Sequence, residues 1–320
     1  MNRVLNKIKI YLPFMFLLSF ALVLSTGKYA YAVTEGVKLW AAYLLPSFLP
    51  YLVITAFLSS LPATFSLSDK LTPFTRKVFG LDGSAAYAFF MSMISGYPMG
   101  AKVVSDLKLN GYLSDEESVK AAILASTSSP AFTVGVVGNL IFHDVTFGVL
   151  LFSVNIAAAI ITGLLFSLKK ENYTKIKKAR LNTEIPCFYD VTYSSVVSIL
   201  VIGGIIAVFY LVSEILSSLG ILSPIINAFS YIFRDETTGR AVTFGLLEFT
   251  RGLKILGGAK RSLLTLPVAA FLCGFSGVSA LIQSIAYLKK AKINTAPFVF
   301  SKAVHAVVSF ILALIVSLFL

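Results

Sequence analysis

Long apolar stretches dominate this chain and are separated by short polar segments. The main ones cover residues 10–25, 37–61, 145–168, 191–218 and 296–320. About 20 apolar helical residues cross the hydrocarbon core of a bilayer. At about 30 residues per span with its connection, the chain length predicts roughly eight to ten crossings. The pattern indicates an all-α, polytopic membrane helical bundle.

Composition agrees with this prediction and excludes several other classes. Hydrophobic residues make up 57% of the chain and charged residues 13%. That proportion leaves too few polar residues to cover the surface of a soluble enzyme. Cys187 and Cys273 lie far apart, without the spacing of a disulfide framework or a zinc site. No Ser/His, paired-Asp or HExxH arrangement indicates catalysis, so we expect no enzyme, metal or cofactor.

The positive charge is spread over short segments, which favours a topological role over nucleic-acid binding. The chain carries a net charge of +12. Residues 169–180 hold six basic residues against Glu171, so we predict that the loop 169–190 is cytoplasmic. Basic residues also precede the run 10–25, and the triplet 30–32 has the small-x-small form of a signal-peptidase site. Residues 1–36 are therefore predicted to be a signal anchor or a cleaved signal peptide.

Two polar breaks interrupt apolar segments in the first half. Ser95-Gly96-Tyr97-Pro98-Met99-Gly100 falls inside the segment 84–113, where two glycines and a proline disfavour a continuous helix. We predict a re-entrant hairpin there. Ser114 and Glu117 form a predicted capping box, and the helix that they open is broken at residues 126–130.

The second half contains a similar break. Residues 262–290 are interrupted by Gly274-Phe275-Ser276-Gly277, and we predict a second hairpin there. Matching Ser95-Gly96 with Ser276-Gly277 suggests two inverted repeats, 37–168 and 191–320, on either side of the basic loop. We also predict that Ile221 to Phe233 crosses back to the cytoplasm. This topology leaves basic residues at 260–261 and 289–292 outside, against the charge rule.

Five segments together resemble the Gate, or nucleoside-recognition, family of bacterial membrane proteins. They are LLPSFLPYLV, SGYPMGAK, SSPAFTVGVVG, GLLEFTRG and GFSGVSALIQ, in this order from about residue 38 onward. The resemblance implies a fold similar to that of concentrative nucleoside transporters. Within the family it is closest to a sporulation branch, for which it implies uptake of dipicolinate, an aromatic dicarboxylate. It also implies a multi-pass location in the bacterial cell membrane or the forespore membrane.

A carrier for such a solute needs donors at mid-membrane, and broken helices supply unpaired N–H groups there. In this hypothesis Lys102 and Arg251 add positive charge, Tyr97 stacks on the ring, and Glu248 and His305 are proton or cation partners. The predicted substrate-binding residues are Ser95, Gly96, Tyr97, Pro98, Gly100, Lys102, Ser128, Ser129, Pro130, Glu248, Arg251, Gly274, Ser276 and Gly277.

Each group also has a structural interpretation. The glycine breaks can be close-packing sites, and Glu248 with Arg251, or Lys102 with Asp106, can neutralise each other. Lys302 can snorkel to the interface, and His305 can be a hydrogen-bonded structural group. The expected partners are the bilayer, a small solute, and either further copies of the chain or sporulation membrane proteins. Two alternative functions stay open: a non-transporting scaffold or subunit of a sporulation complex, and a nucleoside-type transporter.

Overall fold

The computed structural model describes residues 26–59, 62–167 and 187–320, together with Ser19, and every regular element in this part of the chain is helical. Most of the segment 1–36 and of the basic loop 169–190 lies outside the described residues, as does the run 10–25 apart from Ser19. Five helices in the described part are long and apolar enough to cross a membrane. The estimate of eight to ten crossings is therefore too high for this part of the chain, because other apolar segments form hairpins or shorter helices.

The described helices vary widely in length, and two π-helical segments accompany them at Trp40–Leu44 and Ala131–Ile141. In chain order the helices are α1 (Thr26–Leu39), α2 (Leu45–Ser59), α3 (Pro62–Phe79), α4 (Gly83–Ser95), α5 (Met99–Leu109), α6 (Asp115–Leu124), α7 (Val145–Ser167), α8 (Phe188–Ser218), α9 (Ser223–Phe233), α10 (Glu236–Leu247), α11 (Phe249–Gly257), α12 (Thr265–Phe275), α13 (Gly277–Lys290) and α14 (Ala296–Ser317).

The same order of elements occurs twice. A long helix (α1 with α2, and later α8) is followed by a shorter one (α3 and α9) and by a hairpin of two short helices (α4–α5 and α10–α11). Then come a broken helix and an uninterrupted one: α6, the π segment Ala131–Ile141 and α7 in the first half, and α12–α13 and α14 in the second. This repetition agrees with the predicted division into two similar halves.

The second hairpin lies earlier in the chain than predicted. Helices α10 and α11 pack so closely that a Cβ atom added to Gly252 would lie 2.4 Å from the Cα of Gly245. By contrast, Thr265–Lys290 continues as one 26-residue span. At its break Ser276 adopts a left-handed conformation with φ of +69°, which interrupts the helix without reversing the chain. The prediction of a hairpin over 262–290, and its match with the first hairpin, are therefore wrong.

Helix α9 does not cross the membrane either. Its 11 residues extend about 16 Å, roughly half of the hydrocarbon thickness. None of its residues is buried, and it packs on α10, where Ser230 lies against Gly239. The chain therefore stays at one end of the bundle between α8 and α10, which removes the predicted return through Ile221 to Phe233.

This correction changes where the basic residues of the second half lie. The connection after α11 shares one end of the bundle with the turn before α7, because Arg261 donates to the carbonyl oxygen of Phe142 over 2.6 Å. The connection after α13 lies at the opposite end, since Ile293 is in one buried cluster with Leu113 and packs near the end of α7. Lys289, Lys290 and Lys292 thus share the end from which the basic loop departs, as the charge rule requires.

The predicted capping box at the start of α6 is confirmed. The hydroxyl of Ser114 accepts a hydrogen bond from the backbone of Glu117, and the Glu117 carboxylate accepts one in return from the backbone of Ser114. A similar polar cap begins α4, where Asp82 accepts from the backbone of Ser84. Helices α3 and α4 meet at 91°, so that the first hairpin starts at a sharp corner of the chain.

Candidate functional site

In each half, the tip of the hairpin lies against the break of the following helix. A Cβ atom added to Gly96, at the first tip, would lie 3.0 Å from the backbone nitrogen of Ser129. In the second half, a Cβ atom added to Gly277 would lie 2.9 Å from the backbone nitrogen of Phe249. Both glycines have positive φ, so that a side chain would add strain to the steric conflict. The two halves therefore build their breaks by the same close approach of backbones.

Tyr97 connects all four of these interruptions. It belongs to the first hairpin tip, and its hydroxyl accepts a hydrogen bond from Ser128 of the first broken helix over 2.8 Å. The same hydroxyl donates to the carbonyl oxygen of Cys273 in the second broken helix over 3.2 Å. Its ring packs edge-on against Phe249 of the second hairpin, with 5.3 Å between ring centroids. The breaks thus converge on one buried side chain near the middle of the bundle.

Lys302 brings a cation to this centre. It is 1% exposed, its Nζ donates to the hydroxyl of Ser126 over 3.0 Å, and it lies 5.2 Å from the Tyr97 ring centroid. Among the described residues, no carboxylate lies within 4.0 Å of it. A buried ammonium without a counter-ion is costly, and such groups mark functional sites in membrane proteins. The alternative interpretation, in which Lys302 snorkels to the interface, is wrong, because the side chain is buried and its Nζ donates to Ser126 inside the bundle.

Glu248 forms the turn between α10 and α11 and is fully buried. Its carboxylate accepts hydrogen bonds from the backbone N–H of Arg251 over 2.7 Å and from the hydroxyl of Thr250. It thereby caps the N-terminus of α11, where the helix dipole favours negative charge. The guanidinium of Arg251 turns away and pairs with Glu214 of α8 over 3.1 Å. The charges of Glu248 and Arg251 therefore do not neutralise each other by a direct ion pair.

Asn155 of α7 orients the first broken helix. Its Oδ1 accepts a hydrogen bond from the backbone N–H of Ser128 over 2.8 Å. Its backbone oxygen lies 3.2 Å from Nε2 of His305, so that His305 is hydrogen-bonded within the bundle. Its Nδ2 is buried and has no hydrogen-bond partner among the described residues. An unsatisfied buried donor beside Ser128 is a group that a polar solute could satisfy.

Other predicted residues lie around this centre without pointing a free polar group into it. The Ser95 hydroxyl donates to Met91 of its own helix, and Lys102 is half-exposed and pairs with Asp106 over 3.4 Å. Gly100 and Gly274 are packing positions: added Cβ atoms would lie 1.9 Å from the Ala125 oxygen and 2.9 Å from the Ala306 Cα, respectively. The remaining predicted residues Ser129, Pro130, Pro98, Ser276 and Gly277 form the breaks themselves.

The predicted substrate-binding residues did not include three polar residues of the centre, namely Ser126, Asn155 and Lys302. One signal was available for Lys302, because an ionisable residue several positions inside an apolar run is by default a functional candidate. Ser126 belongs to the predicted break at 126–130, whereas no local signal singles out Asn155, since polar groups of this size also bridge helices in ordinary bundles. Their role depends on which helices pack together.

No established family profile matches the chain. It is 26% identical to the sporulation integral membrane protein YlbJ of Bacillus subtilis (strain 168) over 321 residues, which cover 91% of this chain and 78% of that protein. Solved structures of CNTnw, a concentrative nucleoside transporter, have a similar fold. In an inward-facing substrate-bound state the TM-score is 0.56 at 14% identity, covering 95% of this chain and 86% of that one.

A variant of the same transporter in an intermediate state gives a TM-score of 0.58 at 14% identity, covering 99% of this chain and 86% of that one. At this identity the likeness concerns the fold alone. The resemblance stated from the sequence is thereby confirmed. The chain is a multi-pass integral membrane protein with the fold of concentrative nucleoside transporters, related over most of its length to a sporulation membrane protein.

Proposed function

We propose that this protein is a membrane carrier for a small anionic solute with an aromatic ring, that dipicolinate is this solute, and that the carrier acts in spore formation. The observation that carries the proposal is the buried amino group of Lys302, which has no carboxylate within 4.0 Å among the described residues and lies beside Tyr97 and Ser126. An anion bound there would supply the missing countercharge. The name of its relative YlbJ supports the sporulation setting.

The chemistry around Lys302 matches a carboxylate with an attached ring. A carboxylate needs charge-assisted donors, and Lys302 provides them together with the hydroxyl of Ser126, which accepts from Lys302 and keeps its own proton to donate. The unsatisfied Nδ2 of Asn155 is a further donor next to Ser128. An aromatic solute can pack against the ring of Tyr97. Since all these groups are buried, the hairpins must move to admit a solute.

Glu248 has a different role in this proposal. Its carboxylate accepts hydrogen bonds at the N-terminus of α11, and as an acceptor it has no proton to donate to an anion. A dianion therefore binds on the Lys302 side of the ring of Tyr97, away from Glu248. Glu248 remains available as a proton or cation partner of transport.

The test is ligand-dependent thermal stabilisation of the purified protein with dipicolinate, nucleosides and simple dicarboxylates. A ligand at about 100 times its Kd stabilises the folded state by about 2.7 kcal/mol. We expect dipicolinate to stabilise the native protein and Lys302→Met to abolish that shift. Removing an unpaired buried charge should not unfold the protein, because an apolar side chain of similar size is tolerated there. Lys102→Met is the matched control and should keep the shift.

Each alternative outcome has a definite meaning. If Lys302→Met responds to dipicolinate like the native protein, the solute binds elsewhere. Stabilisation by nucleosides but not by dicarboxylates would identify a nucleoside-type transporter. No shift with any solute, in protein shown to be folded, would favour a non-transporting scaffold of a sporulation complex. A positive binding result should be followed by measuring dipicolinate flux into liposomes.

A further inference from the structure

A second charged region lies away from the centre, in a cleft between α1, α8 and the second hairpin. The cleft has a volume of about 530 Å³. It lies towards the end of the bundle opposite the basic loop, because α1 and the second hairpin begin at that end. Its charged lining consists of Lys28, Glu35, Glu214, Arg240, Arg251 and Lys254.

The charges of this cleft do not balance. Four cations face two carboxylates, which leaves an excess of two positive charges. Glu214 pairs with Arg251 over 3.1 Å and with Lys28 over 3.6 Å. Glu35 pairs with Lys254 over 3.4 Å. The remaining cation, Arg240, is exposed and has no carboxylate within 4.0 Å among the residues that the structure describes.

The floor of the cleft contains an unsatisfied polar group. Tyr210 lines the cleft and is 4% exposed, and its buried hydroxyl has no hydrogen-bond partner in the part of the chain that the structure describes. The Arg251 guanidinium lies over the rings of Tyr210 and Phe244, at 5.0 and 4.2 Å from their centroids, and this fixes the floor. A buried hydroxyl without a partner is costly unless a ligand supplies an acceptor. Excess positive charge and a free donor together favour an anion.

We propose that this cleft binds a small dianion bearing carboxylate or phosphate groups, with Arg240 and Lys254 neutralising its charge and the Tyr210 hydroxyl donating to it. The site is separate from the one at Lys302. Its use as a first docking site for the transported solute rests on the proposed carrier function, whereas anion binding itself does not. Positive charge in a cleft with apolar walls raises the local concentration of anions and speeds their association.

The experiment measures equilibrium binding of dipicolinate to the full chain in nanodiscs of neutral lipid, with the number of sites as the readout. The native protein should show two classes of site. Arg240→Gln with Lys254→Gln should weaken the cleft site about thirtyfold, since each of the two charges contributes about 1 kcal/mol near water and about 1.4 kcal/mol corresponds to a factor of ten. Lys260→Gln removes an exposed lysine at the same end of the bundle and should change nothing.

Tyr210→Phe removes only the hydroxyl and should preserve the fold, with a loss of about fivefold to tenfold in affinity at the cleft. Binding by both cleft variants with native affinity at two sites would overturn the proposal. If Lys302→Met lost a site and neither cleft variant did, the cleft proposal would be overturned and the proposed function would stand. Loss of a site in the cleft variants alone would support the cleft and overturn the central site. The absence of any dipicolinate or phosphate binding by folded protein would overturn both.

Two further arms identify the source of the anion. Competition by inorganic phosphate would show that the cleft accepts phosphate as well as carboxylate groups. In nanodiscs that contain phosphatidylglycerol, this lipid could compete with dipicolinate for the cleft and weaken its binding. If Arg240→Gln with Lys254→Gln abolished that competition, the site would be assigned to a lipid headgroup and its anion chemistry would be supported. Binding that is unchanged in those nanodiscs would assign it to a soluble dianion.

Discussion

The two hairpins have the same architecture but differ in the chemistry of their tips. Each places its tip against the break of the helix that follows it, with a glycine at the contact. The first tip, Gly96-Tyr97-Pro98, is neutral, and its polar group is satisfied by side chains and backbone of other elements. The second tip is formed by Glu248, whose carboxylate caps the next helix of the same hairpin.

This difference distinguishes polar groups that stabilise the fold from polar groups that are available to a ligand. The acceptors of Glu248 are occupied within the second half, so its tip is largely self-sufficient. The first tip depends on distant residues and lies beside the unpaired charge of Lys302. The same architecture therefore carries different chemistry at its two tips: the second is satisfied within its own half, and the first depends on contacts with the other half.

The largest expected effect concerns a glycine of the first hairpin. In Gly100→Ala the new Cβ atom would lie 1.9 Å from the backbone oxygen of Ala125, which cannot move without shifting the first broken helix. We expect a loss of about 3 kcal/mol or more in the free energy of unfolding. Gly135→Ala is the control, because nothing lies within 4 Å of its added atom. Thermal unfolding of both variants measures the difference, and equal stabilities would contradict the packing argument.

The next effect tests the self-sufficiency of the second tip. Glu248→Ala removes the cap of α11 and leaves the donors of Thr250 and Arg251 without their acceptor. We expect a loss of about 2–3 kcal/mol. Glu248→Gln keeps an acceptor oxygen and should lose about half as much in the same assay. If the alanine variant were as stable as the native protein, the carboxylate would have no structural role.

A smaller effect is expected at the first tip. Tyr97→Phe removes the hydroxyl that joins Ser128 to the carbonyl oxygen of Cys273 but keeps the ring against Phe249. The unfolding free energy should fall by about 1 kcal/mol, the net value of a typical hydrogen bond. The variant should remain folded and should bind dipicolinate more weakly than the native protein. A loss larger than that of Glu248→Ala would reverse the comparison between the tips.

The smallest effect concerns a contact between the halves at the end of the bundle where α7 begins, where Arg261 pairs with Asp144 over 2.7 Å. The backbone N–H of Phe147 and then the Arg261 guanidinium lower the pKa of Asp144 below its usual value. A carboxyl group with a lowered pKa adds stability above its unfolded pKa of about 4, and this stability disappears as the pH falls through the folded pKa.

Arg261→Gln should therefore cost less than about 1 kcal/mol at pH 7, because solvent screens this partly exposed pair. The difference from the native protein should shrink below about pH 4. Thermal unfolding of both proteins across this pH range measures it. A cost that stays constant down to acidic pH would show that Arg261 acts through its bond to Phe142 and not through Asp144.

The sequence located the breaks at Gly96, at residues 126–130 and at Ser276, but it assigned the second hairpin to the last of these and not to the turn at Glu248. Breaks at Gly96 and Ser276 are visible because glycine and proline interrupt helical hydrogen bonding. The turn at Glu248 contains neither residue, and its geometry depends on the carboxylate cap and on contact between Gly245 and Gly252. A break in an apolar segment does not by itself reveal whether the chain reverses. That outcome depends on tertiary packing.

The candidate site was predicted in part for a similar reason. Tyr97 and the serines at 128–129 stand at visible breaks, and the structure brings Tyr97 and Ser128 into direct contact. Lys302 lies on a regular helix with no local irregularity, and its position follows from the packing of α14 against α6 and α7. A residue on an uninterrupted helix faces a site only when the packed helix has the right rotational orientation. The periodicity of an almost uniformly apolar sequence does not determine that orientation.

The contact of Tyr97 with Cys273 also has a consequence for biosynthesis. The polar groups of the first half emerge from the ribosome well before α12 and α14, which later satisfy Tyr97 and Ser126. Until those helices are inserted, the first half must hold unsatisfied polar groups within the bilayer, at a cost that favours delayed assembly or a chaperone. Two fragments divided between residues 168 and 186 should therefore be short-lived when produced separately and persist when produced together.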